Sequence, residues 1–294
     1  MQSTNRGRAW LTLAAAPFLL GSICFSGSCE AASHPHHQAR ADEPRLKSSS
    51  ALVFDETHSS VLYSRHADVA CPIASITKLM TALVVADAKQ PLDEVIEITD
   101  EDRSTHKGTA SRLVPGTRLT RGDLIHLALM SSENRAAHAL ARSYPGGLEA
   151  FVPAMNAKAR ALGMTSAHFE DPTGLSEENV ASPADLSKLL VAASESPEIR
   201  EYSTDPGYAV RVGRRMLEFR NTNSLVSSPT WNIIVQKTGY TLAAGKCLVM
   251  RAIIEDRTVL IVLLNSVGKY TRVADARRIR RWMEATLSGH TDRV

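Results

Sequence analysis

Ser75 and Lys78, in CPIASITKLMTALVVADA over residues 71–88, put a hydroxyl and an amine three positions apart at the head of an apolar run. Residues three apart share a helix face, so Oγ and Nζ can meet one turn apart. A free lysine is protonated at neutral pH and cannot accept a proton. Burial, or a second cation beside it, disfavours the charged form and turns the amine into a base for the serine. A helix N-terminus would add amides and a dipole that favour developing negative charge. Serine is equally a preferred N-cap, so SITK can also simply open a helix. The spacing recurs at Ser104 with Lys107 and at Ser266 with Lys269. The first pair lies in polar TDEDRSTHKGTASR, where nothing would desolvate an ammonium; the second ends an apolar strand, with Gly268 between its members.

Two further segments carry groups of the right kind. MSSENRAAHAL offers the Ser132 hydroxyl and the Asn134 amide from a turn before a helix, although capping explains them too. QKTGY sets Lys237 and Thr238 at the end of an apolar strand, and Gly239 leaves room for a ligand to approach the backbone. A strand ending in a turn also accounts for it.

The elements that must position these groups follow from hydrophobic pattern. ALVFDETHSSVLYSR has two short apolar runs around a turn-rich centre, which predicts a hairpin. Ile76, Leu79, Met80, Leu83 and Val84 recur at helical spacing in a run apolar nearly all round, a buried helix. From Pro91 to Gly122 the chain is polar and broken. RGDLIHLALM, NRAAHALARSY and LEAFVPAMNAKARALG then read as successive helices, and PADLSKLLVAAS as another opened by Pro183. WNIIVQKTG, KCLVMRAII and RTVLIVLLNS are strands, the last two a hairpin through ED, and KYTRVADARRIRRWMEATL closes as an amphipathic helix whose apolar face covers the sheet. Terminal strands sharing one sheet around an inserted helical block make an α/β (α+β) fold: an antiparallel sheet of N- and C-terminal strands flanked by helices.

The 294 residues, 44% apolar with a formal charge of +3, can bury a substantial core. Basic residues are dispersed, which does not suggest nucleic acid as a partner. Residues 1–32 combine Arg6 and Arg8, an apolar run broken by Pro17, and small residues around Ala31, the pattern of a secretory signal peptide. Residues 33–50 read as a flexible linker whose HPHH tract is a solvated tail, and 51–294 as one domain. Cys24 and Cys29 leave with the signal. Cys71 and Cys247 remain, either paired or as two buried thiols. No metal or cofactor is implied.

The order serine-x-x-lysine, serine-x-asparagine, lysine-threonine-glycine resembles the penicillin-recognising serine hydrolases. PIASITKLMTALVV, RGDLIHLALMSSENRAAHALA, FEDPTGLSEENVASPADL, FRNTN and KTGYTLAAGKCLVMRAII look like the low-molecular-weight D-alanyl-D-alanine peptidases, nearest the endopeptidases of the penicillin-binding protein 7 type. The likeness runs from about Ala51 to about Leu287. It implies a β-lactamase/transpeptidase-like fold, a periplasmic location, and peptidoglycan stem peptides and β-lactams as ligands. Membrane contact would be peripheral at most. It also implies Ser75 as acylated nucleophile, Lys78 as its base and Ser132 as proton relay. Asn134, Lys237, Thr238, Gly239 and Tyr240 would bind substrate, with the amides of Ser75 and Tyr240 as oxyanion donors. Glu133 departs from the glycine or aspartate common in wider relatives. EDPTGL, with Glu170, does not reproduce the deacylating loop of β-lactamases, so slow deacylation is expected. About 55 residues follow Gly239, which leans toward endopeptidase over carboxypeptidase. A catalytically idle wall-binding protein is the alternative of another class.

Overall fold

The computed structural model describes residues 43–103 and 111–291, with side chains as far as residue 286. The signal segment with its two cysteines, the HPHH tract and the Ser104–Lys107 pair lie outside the described residues.

The predicted first hairpin is β1 (Ser48–Asp55) and β2 (Ser60–Arg65). After β3 (Cys71–Pro72) and a 3-10 turn at Ala74–Ile76 comes α1 (Thr77–Asp87), buried from Thr77 to Val85. The polar stretch holds β4 (Val95–Glu97), a 3-10 turn at Asp100–Asp102 and β5 (Arg118–Thr120). Helices α2 (Arg121–Met130), α3 (Asn134–Arg142) and α4 (Gly147–Ala161) follow, then β6 (Val180–Ala181), α5 (Pro183–Ala193) and α6 (Pro197–Thr204). A small hairpin, β7 (Gly207–Val212) and β8 (Arg215–Arg220), precedes the long strands β9 (Asn232–Thr241), β10 (Gly245–Ile254) and β11 (Arg257–Ser266), and α7 (Thr271–Thr291) closes the chain. Local chemistry sets the helix starts. Ser182 accepts from Asp185 N with Pro183 in the first turn, and Thr120 accepts from Asp123 N. Glu255 and Asp256, both at positive φ, form the two-residue turn that matches strand twist between β10 and β11.

The main sheet is antiparallel in the order β2-β1-β11-β10-β9, so the first and last strands pair as expected and β9 is an edge. Leu52, Val249, Val262 and Leu264 face the helical block, in one cluster with Leu79, Leu186 and Leu190. Val53, Leu248, Met250 and Ile261 face α7 through Ala276, Ile279 and Met283. The short pairings β3–β6, β4–β5 and β7–β8 were not anticipated, because two- to six-residue strands among charges and glycines carry no periodicity.

One boundary is corrected. The strand β1 begins at Ser48, inside the segment read as a linker, and Leu46, Ser48 and Ser50 are buried. Its serines look like linker only because their partners lie over two hundred residues away. Ser48 Oγ meets Ser266 Oγ at 2.6 Å and donates to Asp275 at 2.7 Å, while the Lys47 and Ser48 amides donate to the same buried carboxylate. Arg278 is its fourth partner. Replacing Asp275 with Ala leaves these donors buried and unpaired. The variant is expected to lose about 3 kcal/mol of stability in a denaturant titration, against under ~1 kcal/mol for a surface carboxylate such as Glu101.

Candidate active site

Ser75 sits in the 3-10 turn ahead of α1 and caps nothing. The N-cap of α1 is Ile76, without a side-chain cap bond, so the capping role open in the sequence is corrected. The preceding Ala74 is held at φ +50°, a conformation that L residues avoid. What holds it there is crowding. A Cβ on Gly174 would lie 2.0 Å from Ala74 O and 2.9 Å from Ser75 N, and one on Gly239 would lie 2.7 Å from Ile73 O and 3.2 Å from Ser75 N. The Ser75 turn is thus clamped between the 171–176 loop and strand β9, each able to approach only because it presents a glycine.

Lys78, one turn into α1, is fully buried. Its Nζ lies 2.9 Å from Ser75 Oγ, 2.7 Å from Asn134 Oδ1 and 2.6 Å from the carbonyl of Thr173. The last two partners can only accept. A neutral amine has two hydrogens and one lone pair, so its hydrogens go to Asn134 and Thr173 and its lone pair faces the serine hydroxyl. Burial lowers Lys78 to about 7, against the opposing pull of Asp171 and Glu133.

Ser132, at φ 64°, occupies the turn between α2 and α3, and its Oγ accepts from Lys237 Nζ at 2.9 Å. Lys237 also donates to Thr238 O at 2.9 Å. Burial, then the charges of Lys78 and Arg272, push Lys237 well below the usual lysine range. Asn134 is the first residue of α3. Thr238 Oγ1 pairs with Thr222 Oγ1 at 2.6 Å. KTG was expected where its strand stops, but β9 runs on through Thr241, so Lys237 to Tyr240 lie on a paired strand at the sheet edge.

Of the eight residues expected at the site, Ser75, Lys78 and Asn134 form one hydrogen-bonded group and Ser132 and Lys237 another, while Thr238, Gly239 and Tyr240 follow Lys237 along β9. Several supporting groups were missed. The Thr173 carbonyl is backbone and carries no residue code. Its loop is wound on Asp171, whose carboxylate accepts from Thr173 N, Thr173 Oγ1, Gly174 N and Ser176 N. Asn179 ties that loop to Thr77 at the head of α1. Glu133, noted as a departure, is buried and accepts from Ser111 Oγ at 2.8 Å and Arg112 N at 3.3 Å, which fixes the turn carrying Ser132. Arg272, from the first turn of α7, donates to Gly239 O at 2.8 Å. It was one cation among many in a basic helix.

Other candidates fall away from this centre. Glu170 is largely exposed beside His168. Ser266 is turned to Ser48 on β1. Cys71 and Cys247 are free thiols, and burial pushes Cys247 up to about 12.

The family described as D-alanyl-D-alanine carboxypeptidase matches residues 37–268. A D-alanyl-D-alanine endopeptidase of Pseudomonas aeruginosa is 52% identical, over 82% of this chain and 79% of the relative. One from Escherichia coli is 47% identical, over 83% and 79%. Among solved structures, a Streptomyces DD-transpeptidase superposes with a TM-score of 0.77 at 28% identity, covering 83% of this chain and 99% of that one.

Two outcomes test the geometry. The Lys78 ammonium should titrate near 7 when followed by NMR at its Cε; a value close to 10.5 would mean the site is wet. Because the unfolded chain binds this proton more tightly, the contribution of Lys78 to stability should improve as pH rises from about 7 toward 10.5. Separately, Gly174→Ala should remove labelling by a fluorescent penicillin while far-UV circular dichroism is retained, since even a methyl displaces the Ala74–Ser75 backbone.

Proposed function

We propose that this chain, which belongs to the D-alanyl-D-alanine carboxypeptidase family, is a serine D,D-peptidase of exported location that opens peptidoglycan cross-links. The observation that carries the chemistry is the fully buried Lys78, whose Nζ lies 2.9 Å from Ser75 Oγ while its other two partners, Asn134 Oδ1 and the Thr173 carbonyl, can only accept. Ser75 Oγ attacks the carbonyl of a D-Ala residue and its proton passes to Lys78. The tetrahedral oxygen is met by the amides of Ser75 and Tyr240, on the two segments that Gly239 allows to touch. Ser132, oriented by Lys237, relays to the departing amine the proton that Lys78 took up, so that Lys78 is again neutral and Ser132 keeps its hydroxyl. The D-Ala ester on Ser75 is then cleared by water. Asn134 and Thr238 hold substrate polar atoms, and Arg272 adds a fixed charge beside Gly239.

Cross-link cleavage is favoured by the names of the two relatives at 52% and 47% identity. Removal of terminal D-Ala is the second reading, supported by the family's own description. β-Lactams present the same acyl geometry and should remain on Ser75, because Glu170 is turned to solvent beside His168 instead of toward a water at the serine. No helix among the described residues is long and apolar enough to cross a membrane. The signal-like residues 1–32 support export to the periplasm.

Digestion of purified cross-linked muropeptides decides the substrate. Dimers should fall to monomers without loss of terminal D-Ala; the converse product pattern establishes the carboxypeptidase. Mass spectrometry after penicillin should place one adduct on Ser75, absent in Ser75→Ala, and a folded wild type without the adduct would mean an idle binder. The acylation rate should rise with pH through about 7 as Lys78 loses its proton.

A further inference from the structure

The edge strand β9 does not stop at the site. Past Gly239 it continues through Tyr240 and Thr241 into a turn at 242–244 that returns as β10. Tyr240 and Lys246 are direct cross-strand partners, and Lys246 Nζ lies 3.1 Å from the centre of the Tyr240 ring. On its other side Lys246 is paired with Ser266, the last residue of β11, after which 267–270 lead into α7. The two turns adjoin closely, since a Cβ on Gly245 would lie 2.7 Å from Asn265 Oδ1.

On these adjoining turns four large side chains face solvent: Tyr240 at 51%, Leu242 at 93%, Val267 at 80% and Tyr270 at 69% exposure. Interleaved with them are Lys246, Lys269 and Arg272, none of which forms an ion pair with a described residue. Partial burial, then the charges of Arg272 and Lys269, lower Lys246, so both other cations lie close enough to act on it. Apolar groups left in water beside unpaired cations mark a surface that waits for an acidic, partly apolar ligand. The surface starts at Arg272 and Tyr240, so it is continuous with the catalytic groove.

We propose that this ledge binds the leaving strand of a cross-linked substrate. That strand is an acidic peptide extending past the scissile bond, with its carboxylates against Lys246 and Lys269 and its chain over Tyr240, Leu242 and Tyr270. The proposal rests on the cross-link reading above and supplies its specificity. A single released amino acid carries one carboxylate, for which Arg272 suffices. Two more cations and an apolar shelf beyond it fit a leaving group of several residues. Such remote contacts supply binding energy to the cross-linked substrate alone.

The test is the double variant Leu242→Ser, Lys269→Glu, both on exposed turns. Its kcat/KM on purified muropeptide dimers is expected to fall about tenfold or more. Acylation by a penicillin should stay within about twofold, which also reports an intact fold. Added salt should weaken dimer cleavage by the wild type more than by the variant. Equal losses in dimer cleavage and in acylation by penicillin, or an unchanged rate on dimers that the wild type does cleave, would overturn the ledge. So would a change of oligomeric state on gel filtration without a change in dimer cleavage, which assigns the face to a second copy. If the wild type leaves dimers uncut while releasing D-Ala, the cross-link reading itself fails and the ledge falls with it.

Discussion

Two amines that carry charge in water are sealed within one site, and most of the surrounding structure answers to that. Taking an ammonium out of water costs far more than any single contact returns, so the group sheds its proton or gathers partners. Lys78 and Lys237 are both fully buried, and Lys237 feels Lys78 directly. Polar partners surround Lys78 Nζ from three elements: the serine turn, the start of α3 and the 171–176 loop. Two anions temper the loss of charge. Asp171 and Glu133 both raise the proton affinity of Lys78, and each is first a structural knot. Asp171 winds the loop that supplies the Thr173 carbonyl, and Glu133 pins the turn that carries Ser132. The groups that set geometry therefore also set basicity, and a change to either carboxylate alters both.

The same economy explains the sheet. Bringing strand backbone against a helix N-terminus requires an edge strand, since an interior strand is hydrogen-bonded on both sides. Pairing β1 with β11 consumes the edges at the chain's two ends and leaves β9 outermost, with KTG along it. Gly239 and Gly174 then meet Ala74 and Ser75 from opposite sides. The left-handed Ala74 and Ser132 are the local cost of that convergence, of order 1 kcal/mol each. They persist because α1, buried over nearly its whole length, and the sheet beneath it leave the turn nowhere else to go.

What could be read from the sequence was whatever a side chain announces by type and period. The buried α1 showed in the spacing of Ile76, Leu79 and Leu83, α5 in Pro183, and the three long strands in their apolar runs. The reactive groups showed in three spaced motifs whose order mattered more than any one of them. What could not be read was contact made by backbone or across great separations. The Thr173 carbonyl has no letter of its own. Arg272 acts 33 residues after the glycine it grips. Ser48 and Ser50 looked like linker because the groups that justify burying Ser48, Ser266 and Asp275, lie at the far end of the chain. Even the placement of Ser75 was half legible: its spacing from Lys78 was right, but the 3-10 turn shows that the serine precedes the helix, which leaves its hydroxyl uncommitted to capping.

The uncommitted hydroxyl connects chemistry to specificity. A serine tied to its own helix could not also face an amine, and freeing it required outside elements to hold the turn. Strand β9 is one of those elements, so the surface that continues along β9 is mechanically joined to the Ser75 turn. A ligand seated on Tyr240 lies next in the chain to Gly239, whose backbone abuts Ser75, and beside Arg272, whose charge depresses Lys237. An acidic ligand there would offset part of that positive field and favour the protonated form of Lys237, which faces Ser132. Recognition of a long acidic leaving strand and readiness to protonate its amine would then be two effects of one charge, placed at the only side of the site where the sheet has an open edge.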